Sequence, residues 1–360
     1  MSATEPITSR RATRSRVHAV DHVAGVLISV GGFLVIVAVL GICVYLVAEV
    51  VPLFRGARLG EAATASTPAG PARLVVCDEY KRSALLVDDA GRASFVNLAD
   101  GRVVSATPLA PGGRRMTAIS RESSSGRVAV GLDDGSVRAG LIEIAGETVT
   151  PDQVPAGVAS TPIGGVAVAA PAGDDALGAV IERISEAQFR VLRPMIDLAE
   201  PVGLDHGQGA VVGVDLRTRG SDEFLVALRE DSTISYELVS VTRPLGGGTP
   251  KTTLSPVDVK VALPDGRSRP DWVFVTGDQN QLLLVWRDGL CQRYQSPNVY
   301  EKPFSPVETT DLLPDQGEIG VATMQLGGLT LLLGDDRGRV HGAFTAVDSA
   351  GGAADGQRLV

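Results

Sequence analysis

Three pairs of adjacent aspartates, Asp88-Asp89, Asp133-Asp134 and Asp335-Asp336, come nearest to a chemical motif in this chain. Neighbouring carboxylates suit calcium, which gathers oxygen ligands. Each pair, however, lies between two apolar runs and within three residues of a glycine. Aspartate in that position bonds its own backbone and closes a turn, so turn chemistry is the expected role. Gly246-Gly247-Gly248, in RPLGGGTPK, is not followed by the helix that a phosphate cradle needs, and reads as a loop. No GxSxG, no GK[ST] loop and no HExxH occurs. The histidines, His18, His22, His206 and His341, are scattered, and Cys43, Cys77 and Cys291 offer no metal spacing. Cys77 and Cys291 lie in separate strand-like segments, LVVCDEY and GLCQRY. An oxidising compartment would let them pair, but two free buried thiols are expected. No catalytic, cofactor or metal residue is assigned, and the chain reads as a non-enzyme.

The element that organises everything else is Val23–Ala48, VAGVLISVGGFLVIVAVLGICVYLVA, 26 consecutive residues without a charge. As a helix it would extend roughly 39 Å, enough to cross a ~30 Å hydrocarbon core with some tilt. Tyr45 and Phe54 stand where interfacial anchors belong. A buried core helix is the competing reading, yet cores seldom supply so long a run without a polar interruption. Arg10, Arg11, Arg14 and Arg16 precede the run, whereas Arg55 and Arg58 beyond it are mixed with Glu49 and Glu61. That asymmetry keeps the N-terminus in the cytoplasm and exports the rest. A cleaved signal peptide has an apolar core of only about 7–15 residues, so an uncleaved single-pass anchor in the inner membrane is expected.

The division that follows is a basic cytoplasmic tail at 1–22, a transmembrane helix at 23–54, a linker at 55–72 and an extracytoplasmic domain at 73–360. Gly25, Ser29 and Gly32 fall at i, i+4 and i+7. They make a small-residue face that another helix could approach closely, although glycine is also simply common in membrane helices. Beyond residue 55 the chain carries 28 basic and 39 acidic residues, a net charge of −11. So acidic a domain offers nothing to compensate the phosphates of nucleic acid or an anionic lipid surface.

After the linker no segment keeps a 3.6-residue period, and only Pro194–Glu200 reads as a single helical turn. Strand–turn–strand units occupy 84–98, 126–144, 179–192, 223–239, 271–286 and 329–344. Their turns recur every 44 to 57 residues, as four-stranded propeller blades do. Flanking strands are expected at Arg73–Val76, Val166–Ala169, Ala210–Val214 and Val257–Leu263. Sandwich strands would recur at about 8–12 residues instead. The expected fold is all-β, a WD40-like β-propeller of about six or seven four-stranded blades whose ring need not be complete. Trp272, Trp286, Tyr236 and Tyr294 are expected to fill the spaces between blades. Gln357–Val360 reads as the opening of another strand after the turn cluster GGAADG, so the chain is expected to be a fragment truncated at its C-terminus.

The anchor also resembles a known family. Gly31-Gly32, Val35-Ile36, Leu40, Tyr45-Leu46 and the VPLF of Val51–Phe54 are similar to the first membrane helix of PstC-type permeases, subunits of the phosphate ABC importer. One branch of that family has a large propeller-like insertion between its first two membrane helices, and the ADGQRLV of Ala354–Val360 is similar to its blade openings. The resemblance implies a periplasmic domain with a binding, docking or regulatory role. Its implied partners are the partner permease subunit, the ATPase subunit and the phosphate-binding protein. Residues of the phosphate pathway would lie in membrane helices that these 360 residues do not contain. The alternative is a free-standing membrane-anchored propeller acting as a scaffold of an envelope assembly complex. An anchored propeller hydrolase is a third option, with neither nucleophile nor base to support it.

Overall fold

The computed structural model describes residues 15–51, 71–171, 177–220, 222–242, 251–257, 263–264, 266–313, 317–347 and 357–359. The chain divides into two compact units, Met1–Thr64 and Ala65–Val360. In the first, α1 (Ser15–Val50) begins ahead of the expected boundary at Val23, because no proline or glycine interrupts Ser15–His22. Its segment His22–Val50, 29 residues, is long and apolar enough to cross a membrane. Every described side chain from 22 to 51 is exposed, with apolar groups on all sides of the helix. A helix apolar all round has no wet face to offer water. The expected end at Phe54 lies outside the described residues.

The second unit is built from antiparallel sheets, and in the four four-stranded ones the strands follow one another in space as in sequence, the arrangement of propeller blades. The first blade is β1 (Ala72–Cys77), β2 (Ser83–Asp88), β3 (Arg92–Asn97) and β4 (Val103–Pro108). The second opens with β5 (Met116–Arg121), β6 (Arg127–Leu132) and β7 (Ser136–Val149). It is completed by β8 (Val166–Ala169), β9 (Ala179–Arg183), β10 (Phe189–Leu198) and β11 (Val202–Gly203). The third comprises β12 (Val211–Arg219), β13 (Asp222–Arg229), β14 (Ile234–Thr242) and β15 (Lys251–Val257). The fourth comprises β16 (Trp272–Val275), β17 (Gln281–Val285), β18 (Leu290–Gln295) and β19 (Ser305–Asp311). The fifth comprises β20 (Ile319–Met324), β21 (Thr330–Asp335), β22 (Val340–Val347) and β23 (Gln357–Leu359).

The expectation of six or seven blades is therefore corrected: the described residues form four four-stranded blades and one seven-stranded sheet. The unit at 179–192 is a real hairpin, but not a blade. β7 and β10 pair without interruption from Gly140↔Leu198 to Val149↔Phe189, and β9 and β8 continue the same sheet. These strands are an outgrowth of the second blade, and they fold back on the first. Val180 and Leu192 cover Phe95, the Ser105 hydroxyl donates to the Leu177 carbonyl at 2.6 Å, and Arg82 pairs with Glu182 at 2.7 Å. The helical turn expected at Pro194–Glu200 is a strand as well, since Pro194 to Leu198 belong to β10. Proline is tolerated there because β9 leaves β10 at Leu192, so the missing N–H faces a sheet edge. Flanking strands lie where expected at β1, β8 and β12, and most of the segment expected at Val257–Leu263, residues 258–262, lies outside the described residues.

Alternation gives every blade two faces. In the fourth, Val273, Val275, Leu282 and Leu284 face the third blade, while Phe274, Leu283 and Val285 face the fifth. A strand buried on both sides reads as an unbroken apolar run, hence QLLLV. Tyr236, Trp286 and Tyr294 fill the gap between the third and fourth blades, and Trp272 packs between the fourth and fifth, as expected. Apolar clusters join blades one to two, two to three, three to four and four to five. Among the described residues none joins the fifth blade to the first.

Candidate functional site

The first strand of each blade, β1, β5, β12, β16 and β20, faces a common central cavity of about 660 Å³. Close approach of these strands is helped by small residues, Ala118, Gly213, Gly320 and Ala322. Arg73, Arg121, Asp271 and Arg287 supply its charged groups. Arg73 pairs with Asp89 at 2.5 Å and donates to the Thr117 carbonyl. Arg121 donates from Nε to the Ile142 carbonyl at 2.9 Å; burial lowers its guanidinium pKa and the Glu143 charge opposes that shift. Arg287 lies 3.7 Å from Asp271 and 5.8 Å from the centre of the Trp272 ring. Each cation thus has an acidic neighbour, and the cavity does not concentrate positive field. Its chemistry is that of a mixed polar and apolar binding surface.

One side of the channel is fixed by a buried polar node. Asp215 on β12 accepts from the Ser120 hydroxyl on β5 at 2.7 Å and from the Val275 N–H on β16 at 2.9 Å, and pairs with Arg217 at 3.2 Å. Burial raises its carboxyl pKa, with the Arg217 charge and those hydrogen bonds working the other way. Arg217 in turn donates from Nε to the Val275 carbonyl at 3.1 Å. The node therefore ties the inner strands of three consecutive blades. Arg127–Glu223 at 2.5 Å and the Thr218 hydroxyl bound to Glu122 add further second-to-third blade links. No sequence motif marked these residues. The available signal was an acid and a base, Asp215 and Arg217, inside a strand that is otherwise mostly apolar.

A second cavity of about 280 Å³ is lined by Asp205, Glu237, Lys251 and Thr252. Glu237 is 3% exposed; burial, reinforced by the Asp205 charge, pushes its carboxyl up to about 7. The Thr252 hydroxyl is buried without a hydrogen-bond partner.

The aspartate pairs sit in turns, as expected, and their carboxylates are occupied there. Asp88 accepts from the Ala90 and Arg92 N–H groups, both at 2.9 Å. Asp133 binds Arg115, and Asp134 accepts from the N–H and hydroxyl of Ser136. Asp335 accepts from His341 at 3.0 Å, from the Arg337 and Arg339 N–H groups and from the Arg339 guanidinium, which together hold it well below the usual carboxylate range. His18 and His22 stand four apart on α1, a pair only. Among the described residues no three metal-ligating side chains gather. Cys291 is buried as expected, and its thiol is pushed up to about 12, but Cys77 is exposed on β1, where alternation turns it away from the core. Gly246–Gly248 lie outside the described residues. Nothing approaches within 4 Å of a Cβ placed at Gly25 or Gly32, so the face that they form with Ser29 is uncovered. No protein-family model matches this sequence, and no curated protein matches it.

Proposed function

We propose that this chain is the anchor and extracytoplasmic docking domain of a membrane assembly, with α1 spanning the inner membrane and the β-domain binding a protein partner without catalysis. The apolar segment His22–Val50 supports the anchor, being exposed around its whole circumference. The central cavity, whose cations are all matched by acids, supports recognition of a mixed polar surface over capture of a free anion. The resemblance of the anchor to PstC-type permeases names the assembly as a phosphate ABC importer. In that reading α1 meets a partner permease helix through Gly25, Ser29 and Gly32, and the β-domain meets the phosphate-binding protein. Mild-detergent purification of the tagged chain from native membranes tests this. Recovery of the importer's permease, ATPase and binding-protein subunits is expected. Envelope assembly factors in their place would favour the free-standing scaffold and overturn the importer reading.

A further inference from the structure

The cavity of about 280 Å³ lies between the second sheet and the third blade, lined by Leu204 and Asp205 after β11 and by Glu237, Lys251, Thr252 and Leu254 on β14 and β15. The register of those two strands sets its long axis. Glu237 stands opposite Pro256, Val239 opposite Leu254 and Val241 opposite Thr252, so these side chains share one face. That face meets the second sheet, because Leu204, Val241 and Leu254 join the apolar cluster around Val137 and Val239. Glu237 and Thr252 are four residue levels apart along the strands, roughly 13 Å between Cα positions. The cavity therefore has an acidic end, an aliphatic middle, and a far end marked by Lys251 and Thr252.

Both ends carry polar groups that the described residues leave without a partner. Glu237 is 3% exposed, and the charge that bears on it is that of Asp205, of the same sign. Arg229, on the same side of the blade, is bonded to the Gly135, Gly209 and Leu204 carbonyls instead. Thr252 is 6% exposed and its hydroxyl has no hydrogen-bond partner. Ser235, two residues before Glu237 and on the same face of β14, also has a buried hydroxyl without a partner. Buried polar groups ordinarily find partners, and each exception calls for an explanation. Lys251 is exposed beside Thr252.

We propose that this cavity binds a small zwitterion, its ammonium group at Glu237 and Asp205 and its carboxylate at Lys251 and Thr252, with methylenes between. The ammonium supplies the positive charge and the donors that the acidic end lacks, and charge-assisted hydrogen bonds are the strong ones. The carboxylate accepts from the Thr252 hydroxyl and pairs with Lys251, while the methylenes lie along Leu204 and Leu254. A volume of about 280 Å³ suits a small molecule, near the lower bound of roughly 300 Å³ for ordinary ligand sites. The two acids disfavour a simple anion, and Lys251 disfavours a diamine, whose second ammonium it would repel. The proposal rests on the cavity alone and holds whether or not the assembly is an importer.

Isothermal titration calorimetry of the detergent-purified full chain with ε-aminocaproate tests it. Saturable one-to-one binding is expected. Hexylamine, which lacks the carboxylate, and caproate, which lacks the ammonium, should each bind at least about tenfold more weakly. Glu237→Gln and Thr252→Val, both close in shape to the native residues, should weaken ε-aminocaproate by at least about tenfold. Lys251→Met alters only an exposed position, so it reports on the site even where a buried variant fails to fold, and it should weaken binding severalfold. Glu186→Gln, exposed in the turn between β9 and β10, should leave binding unchanged. No saturable heat up to about 10 mM probe would overturn the proposal. So would hexylamine or caproate binding as tightly as the zwitterion, or unaltered binding in the folded Glu237→Gln, Thr252→Val or Lys251→Met chain.

Discussion

Asp215 is bonded to Ser120 and Val275, which lie 95 and 60 residues away in sequence. Truncation to alanine would strand Arg217 and the Val275 N–H in a dry interior, and removing one member of a buried pair costs about 3–5 kcal/mol. Asp215→Ala is therefore expected to lower the urea midpoint strongly, and Asp215→Asn, which keeps an acceptor, to lower it less. Glu237 makes the opposite case. Its folded pKa of about 7 lies above the ordinary 4.5, so the folded chain holds this proton more tightly than the unfolded chain. That stabilisation is complete below about pH 4.5 and is lost as the pH rises towards 7. Glu237→Gln should leave stability nearly unchanged at pH 4.5 and raise it by roughly 1–2 kcal/mol at pH 8. Melting temperatures at the two pH values, with a difference of a few degrees only at the higher one, would check this. The roles of the Asp-Asp pairs were legible in the sequence because an aspartate turn closes within four residues. The node at Asp215 was not, because its partners come from other blades.

At the scale of the element, most strands announce themselves by alternation, whereas the pairing of β7 with β10 does not. A 14-residue strand that pairs β6 with its first half and β10 along most of its length looks like one hairpin followed by another. The hairpin at 179–192 therefore reads as a blade of its own. Gly140 holds the key position in that junction: a Cβ there would meet the Asp197 carbonyl oxygen at 2.1 Å, a backbone atom that cannot step aside. Gly140→Ala is expected to push β10 off β7 and destabilise the domain by about 1–3 kcal/mol. Hydrogen exchange should then show lost protection concentrated in β7–β10, with the third to fifth blades unchanged. Uniform loss across all blades would mean that the outgrowth and the ring unfold as one unit.

For the whole molecule, two properties are legible in the sequence: an apolar span near one end, and a hairpin repeat long enough for blades. The period alone could not distinguish a blade from an outgrowth, because both place a turn about every 45–50 residues. Nor could it show that one side of the series is open, since exposure of Val340 depends on a neighbour and not on its own strand. The most direct measurement is electron cryomicroscopy of the full chain purified from native membranes into lipid nanodiscs. The expected result is α1 crossing the bilayer and five sheets set around one cavity lined by β1, β5, β12, β16 and β20. Sheets that share no central cavity, or α1 folded outside the bilayer, would contradict it.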